Sequence, residues 1–410
     1  MRNRIVWVLG ILAASVWELP AQEPTTSPSF APSGQSTASA ALEDVLAFHP
    51  TNHDVWLTAD FLFGWMEGAH LPRLVTTSPV VPAVPAPDVA GVLPAADTLL
   101  HGTVNQDLAT GLRLGGGYIF DQEKGMGVEA GFLFVSGQSS TFGFSSDDFP
   151  ILAQPFIDAD SGDPGSFLVA YPDPGQFAGA ATGTIAVDSR QGSFYATNLG
   201  LMERAWETEG LRIDALFGYR FYTISDQLRI RTHRDLIATP AIVDSEDSFR
   251  AANYFHGLDF GFRTTYAWSD RVTLNLLTKV AAGNLHRNVN IRGKTTTTVN
   301  PDPPATTEGG LYALASNIGE HTTHEWGLLP EAGANFSWQV RSNVFIRAGY
   351  SLLYLTKIAR ADNQIDFTVN PDLIPGPGFD PAADPARPAF HIKQADMWIQ
   401  TINLGVDVIF

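Results

Sequence analysis

The side chains able to do chemistry cluster in a few stretches of the 410 residues. His321, His324 and Glu325 offer metal-type ligands, but the order HTTHE reverses and shortens HExxH, which needs its histidines one helical turn apart. On a strand, residues three apart point to opposite faces. Asp158, Asp160 and Asp163 form an oxygen-rich run of the kind that holds calcium. Gly162 takes the fifth place and no glutamate closes the run, so the EF-hand order is not met and a solvated acidic loop is the simpler expectation. His256 and Asp259 raise a rim dyad of the sort barrel proteases use, against the simpler reading of an interface histidine. No GxSxG elbow is present, and Gly115 to Gly117 lead into a strand rather than the helix a nucleotide loop requires.

The largest set of ionisable residues is Arg113, Glu129, Arg212, Asp214, Arg220, Asp259, Arg263, Lys279, Glu331, Arg347 and Asp407. Each lies on the glycine-rich side of a segment whose other side is apolar, so what positions these groups is a set of strands with period-two alternation. Ten such strands are expected. They run Val55–Trp65, Leu108–Phe120, Met126–Val135, Gly192–Met202, Leu211–Thr223, Tyr254–Trp268, Arg271–Gly283, Glu325–Trp338, Asn343–Ile358 and Met397–Phe410. In the fifth, for example, Leu211, Ile213, Ala215, Phe217, Tyr219 and Phe221 oppose Arg212, Asp214, Gly218 and Arg220, and in the ninth Val344, Ile346, Ala348, Tyr350, Leu352, Tyr354 and Ile358 are expected to face outward. Connections alternate short and long: Asp121–Gly125, Glu203–Gly210, Ser269–Asp270 and Gln339–Ser342 are short, while the links between them, such as Ser225–Asn253 and Asn284–His324, are long.

An even strand number with short turns at one end and long loops at the other is the pattern of a bacterial transmembrane barrel. The expected fold is therefore all-β, a closed antiparallel transmembrane β-barrel of about ten strands, or twelve if a loop hides a hairpin. A secreted sandwich also alternates, but its exposed face would be Thr, Ser and Lys rather than glycine interleaved with Arg and Asp. In a barrel the polar face is the lumen, and the eleven charges above are expected there as a mutually paired network; a selective solute path is the alternative. Trp65, Tyr118, Phe120, Trp268, Trp338 and Trp398 suit interfacial girdles.

Bulk properties fit this fold. The chain has no cysteine, which excludes disulfides, thiolate zinc sites, cysteine nucleophiles and a lipobox anchor. Its net charge of −18 argues against nucleic acid. Arg2 and Arg4 precede an apolar run from Ile5 to Val16, and Leu19-Pro20-Ala21 offers a cleavage site, so residues 1–21 read as a signal peptide. Residues 22–48 read as a flexible Pro/Ser/Thr-rich leader and 49–410 as the barrel. The terminal strand ends on Phe410, as outer-membrane barrels do, which implies recognition by the barrel-assembly machinery.

Several segments resemble the planctomycete outer-membrane β-barrel protein family: GGLYALASNIGEHTTHEWGLLPEAGANFSWQV, NVFIRAGYSLLYLTKIARADNQIDFTVNP, FLFGWMEG and GLRIDALFGYRFY. The resemblance implies a diderm outer membrane and a barrel, and transfers no catalytic residue, ligand or cofactor. DNQID, just after a strand, is expected to anchor a loop. Partners are expected to be outer-membrane lipid and the assembly machinery, with an unidentified surface ligand or small solute. The functional expectation is a structural or surface-interaction barrel with a charge-plugged lumen, no enzyme and no cofactor; a narrow porin comes second and a rim enzyme last.

Overall fold

A computed structural model describes residues 55–80 and 83–410. The signal peptide and leader expected over 1–48 lie outside the described residues.

The ten expected strands are all present and form one ring. They are β1 (Val55–Met66), β2 (Ala109–Asp121), β3 (Met126–Val135), β4 (Phe194–Thr208), β5 (Leu211–Leu236), β6 (Ala241–Ser269), β7 (Val272–Val299), β8 (Gly319–Arg341), β9 (Val344–Ala359) and β10 (Gln394–Ile409). Each pairs antiparallel with its sequence neighbours, and β1 pairs with β10 from Trp56↔Ile409 to Met66↔Ile399. The ring therefore has no free edge, as hydrocarbon demands, because an unpaired backbone N–H or C=O there costs several kcal/mol. The side of β5 that carries Phe217 and Tyr219 is exposed, whereas Arg212, Asp214 and Arg220 point inward and are buried.

The links expected as loops are largely strand. β5 and β6 run 26 and 29 residues, more than twice the 9–11 that span a bilayer, and the expected Ser225–Asn253 loop shrinks to a short turn. The reason is a change of phase in the alternation. Outward residues of β5 are apolar to Phe221, then become Ser225, Gln227, Arg229 and Arg231, while the inward ones become Leu228 and Ile230. β6 changes between Tyr254 and Arg250, and β7 between Ala282 and Asn284. Below this line the barrel is apolar outside and charged inside; above it the strands stand in water and are apolar inside.

The remaining long links fold over the open end. Strands Gln138–Ser145 and Ala181–Gln191 extend the β5 edge, and a second, five-stranded sheet combines Ala69–Thr77, Asp97–Val104, Leu152–Asp158, Pro164–Ala170 and Thr368–Val369. Leu71, Leu74 and Val75 of that sheet meet Leu228, Ile230, Phe249, Val289 and Ile291 from the strand extensions in a buried core.

One orientation departs from expectation. A bulge between Leu355 and Ile358, where Lys357 has a φ of 58°, turns Ile358 inward and buries it. Trp326, 71% exposed, joins the outer aromatic belt on β8, and Trp206 joins the one at the turn end.

Both residues of the phase change can be probed on one strand. Leu258→Arg, on the lipid side of β6, is expected to lower folding stability in lipid vesicles by about 2–4 kcal/mol. Ile242→Arg, on the same side beyond the change and opposite Asp235 and Thr298, is expected to shift it by less than about 0.5 kcal/mol. Equal losses in a denaturant titration would place the bilayer edge wrongly.

Candidate functional site

The lumen is where the ionisable residues gather. Small residues make the room: a side chain at Gly117 would collide with the ring of Trp56, its cross-strand partner, and one at Gly405 with the carboxylate of Asp60. The triple glycine thus admits a tryptophan into the barrel. Six cations, Arg113, Arg212, Arg220, Arg263, Lys279 and Arg347, face six carboxylates, Asp60, Glu129, Asp214, Asp259, Glu331 and Asp407. Ten of the eleven expected residues enter ion pairs, and Arg113 bonds the Ser351 hydroxyl instead. Asp60 was not among those expected; Phe61 and Phe63 beside it advertise the lipid side, and its own alternation with Thr58 was the available signal.

The pairing is specific. Arg263 Nη2 lies 2.6 Å and Lys279 Nζ 3.0 Å from the two oxygens of Glu129. Lys279 also reaches Asp259 at 3.4 Å, which Arg220 contacts at 3.3 Å while bonding Glu331. Arg347 grips both oxygens of Asp60 and lies 3.2 Å from Asp407. Arg212 and Asp214 pair on one strand at 2.7 Å. Such charges offset their desolvation only while mutually satisfied. Between them lie cavities of about 170 and 80 Å³, both bordered by Trp56, Thr58, Arg263 and Arg347.

Outward of the charges, the inner wall turns apolar. Leu62, Met66, Ala109, Leu133, Val135, Phe194, Tyr222, Phe255, Leu285, Leu329, Leu353 and Met397 are among the members of one buried cluster drawn from all ten strands. Tyr222 and Phe255 stack with centroids 4.9 Å apart. Just beyond this layer, Arg360 and Asp226 pair at 2.5 Å.

The loop motifs act as anchors. Asp247, beyond the phase change and so outside the membrane, accepts N–H bonds from Leu311, Tyr312 and Ala313 at 2.9–3.2 Å. Asn317 closes the same segment onto Leu314 N–H and Tyr312 carbonyl. In DNQID, Asp362 accepts from His70 N–H, Gln364 bonds the Arg360 and Lys393 carbonyls, and Asp366 receives Ala389 N–H and Arg387.

The other candidates do not assemble. His321 stacks on Phe390 and bonds the Asn317 carbonyl, while His324 lies on the other face beside His286. Glu325 pairs with Arg287 and Lys357. The Asp158 carboxylate accepts the Asp160 and Ser161 N–H groups, which fixes a hairpin tip, and among the described residues no three acidic or histidine groups converge as metal ligands. His256 bonds the Tyr219 hydroxyl on the outside of the barrel and Asp259 faces inside.

Strand closure, lipid-facing apolar wall and charged interior define a transmembrane β-barrel of the outer-membrane type. The chain belongs to the family described as "Putative beta barrel porin-7 (BBP7)", whose model matches residues 56–410. None of the curated proteins matches it. Among solved structures it is similar to the outer membrane protease OmpT from Escherichia coli, with 8% identity over 87% of this chain and 97% of that one and a TM-score of 0.41. It is also similar to the Pseudomonas putida toluene transporter TodX, with 8% identity, 92% and 95% covered and a TM-score of 0.23, and to a Pseudomonas aeruginosa FadL homologue, with 8%, 90% and 94% and 0.22. Likenesses this weak carry no functional argument.

Two outcomes follow from the site. Glu129→Ala, which strands Arg263 and leaves Lys279 only its longer contact with Asp259, is expected to cost about 3–5 kcal/mol of stability, read from the unfolding midpoint in detergent. Burial pushes the Asp247 carboxyl up to about 6 despite its three N–H donors. The folded chain thus holds this proton more tightly than the unfolded one, so the contribution to stability is full below the ordinary carboxyl pKa near 4 and is lost as pH rises through about 6. Hydrogen-exchange protection of residues 311–313, corrected for intrinsic rates, should fall between pH 5 and pH 7.5, and the change should vanish in Asp247→Asn.

Proposed function

We propose that this protein is a closed outer-membrane barrel that holds a folded cap at the cell surface, a structural or surface-interaction role rather than transport. The observation that carries the reading is the apolar layer to which every strand of the ring contributes. A hydrated ion crossing it would lose its water to side chains that offer no replacement, which is far costlier than leaving the layer dry. The paired charges beneath give the lumen a second barrier, because moving one breaks a buried pair.

The cap supports the surface role. Its core is continuous with the strand extensions, so the loops are held as a shaped face and not as tethers. The rim histidines and carboxylates are dispersed over opposite faces, which supports a non-catalytic reading with no cofactor. The same proposal places the chain in a diderm envelope of planctomycete type, on the segments quoted above, with Phe410 as the signal for barrel assembly. Phe410 is exposed and its N–H bonds the Val55 carbonyl at the seam. The partner at the surface stays a ligand of unassigned chemistry.

The family description supports one other reading, a narrow porin. Planar-bilayer recording of the purified full chain separates them. The closed barrel predicts no discrete openings at moderate voltage, while reproducible unitary steps with a fixed ion selectivity would establish the porin and overturn the closed reading.

A further inference from the structure

The lumen network has one member that its pairing does not explain. Asp60 stands directly across from Arg113 in the β1–β2 register. Both Asp60 oxygens, however, are taken by Arg347. Glu331 is bonded by Arg220, and Glu129 by Arg263 and Lys279. Arg113 is left with one hydrogen bond, from Nη2 to the Ser351 hydroxyl at 2.7 Å, and among the described residues it is the lumen cation with no carboxylate within ion-pair distance.

Arg113 lines the larger cavity, about 170 Å³ in volume. Five cations line that cavity, Arg113, Arg220, Arg263, Lys279 and Arg347, against two carboxylates, Glu129 and Glu331. The balancing carboxylates Asp60, Asp259 and Asp407 are not part of its lining. The wall is thus positive although the network as a whole is balanced. Asn198, Asn275 and Asn335 add amides to the same wall, and the volume admits a few waters or one small oxyanion.

The geometry points to a binding site for a small oxyanion, of the phosphate, sulfate or short carboxylate kind, held on the Arg113 fork. A guanidinium presents parallel N–H donors that match two oxygens of one ligand, and Ser351, itself bonded to Thr401 at 2.7 Å, fixes the plane of the fork. The anion supplies the counter-charge that Arg347 has taken from Arg113. The smaller cavity, which shares Trp56, Thr58, Arg263 and Arg347 with the larger, carries the polar wall on toward Arg212 and Asp214 near the turn end. The site is a pocket with a blind outer end; that blindness rests on the closed-lumen reading, whereas the anion contacts do not.

The test is thermal unfolding of the detergent-solubilised full chain with rising inorganic phosphate at fixed ionic strength. A saturable rise in Tm is expected, absent in Arg113→Gln and retained in Arg292→Gln, which removes an exposed cation outside the barrel. No saturable rise in the native protein, or the same rise in Arg113→Gln, overturns the proposal. If Arg113→Gln does not give a heat-modifiable barrel, Arg113→Lys keeps the charge without the fork and should move half-saturation about tenfold higher; an unmoved value overturns it equally. Bilayer openings combined with an Arg113-dependent phosphate shift would remove the blind end and leave the site standing.

Discussion

Hydrocarbon offers the backbone no hydrogen-bonding partner, and the whole architecture is arranged around that deficit. The first and last strands meet in register along their length, from Trp56↔Ile409 to Met66↔Ile399, so that no strand edge faces lipid. Once the ring is closed at ten strands, the interior is narrow enough for side chains to meet across it. That narrowness brings Arg347 from β9 onto Asp60 of β1, and Lys279 of β7 onto Glu129 of β3. Closure, then, produces the lumen chemistry as well as the wall.

The second organising feature is that the chain uses one periodicity for two solvents. Alternation by two residues persists along β5, but the side that is apolar changes where the strand leaves the bilayer. Inside the membrane the outer wall must dissolve in lipid, and the inner wall is free to be ionic if paired. Outside it the outer wall must dissolve in water, and the inner wall supplies the core on which the cap is built. The apolar layer across the barrel lies where the two regimes meet.

This division also explains what was readable in the sequence. All ten membrane strands follow from alternation, because each carries the apolar side that lipid requires, and the eleven lumen charges follow because they sit opposite it. Leu228, Ile230, Phe249 and Ile291 alternate just as strictly, but with polar outward neighbours, so a search for one apolar phase ends at Thr223 and reads their strands as loop. Ile358 was assigned outward because a bulge adds a residue that alternation alone does not announce. The apolar layer was illegible for a different reason: its members are one or two per strand, and only the register assembles Leu62, Phe194, Phe255 and Leu353 into a group. The unpaired state of Arg113 is likewise a fact about three strands at once.

The continuous pairing of β5 with β6 out to Asp235↔Ile242 has a mechanical consequence. The thirteen steps from Thr223 to Leu236 span about 43 Å at roughly 3.3 Å each, or roughly 30 Å of height once the tilt of a barrel strand is allowed for. This is a girder, laced by backbone hydrogen bonds and braced from within by a packed core. It fixes a stand-off distance: the end of this hairpin stands about 30 Å from the edge of the lipid, and a force applied there is carried as a lever arm directly into the ring of strands in the membrane.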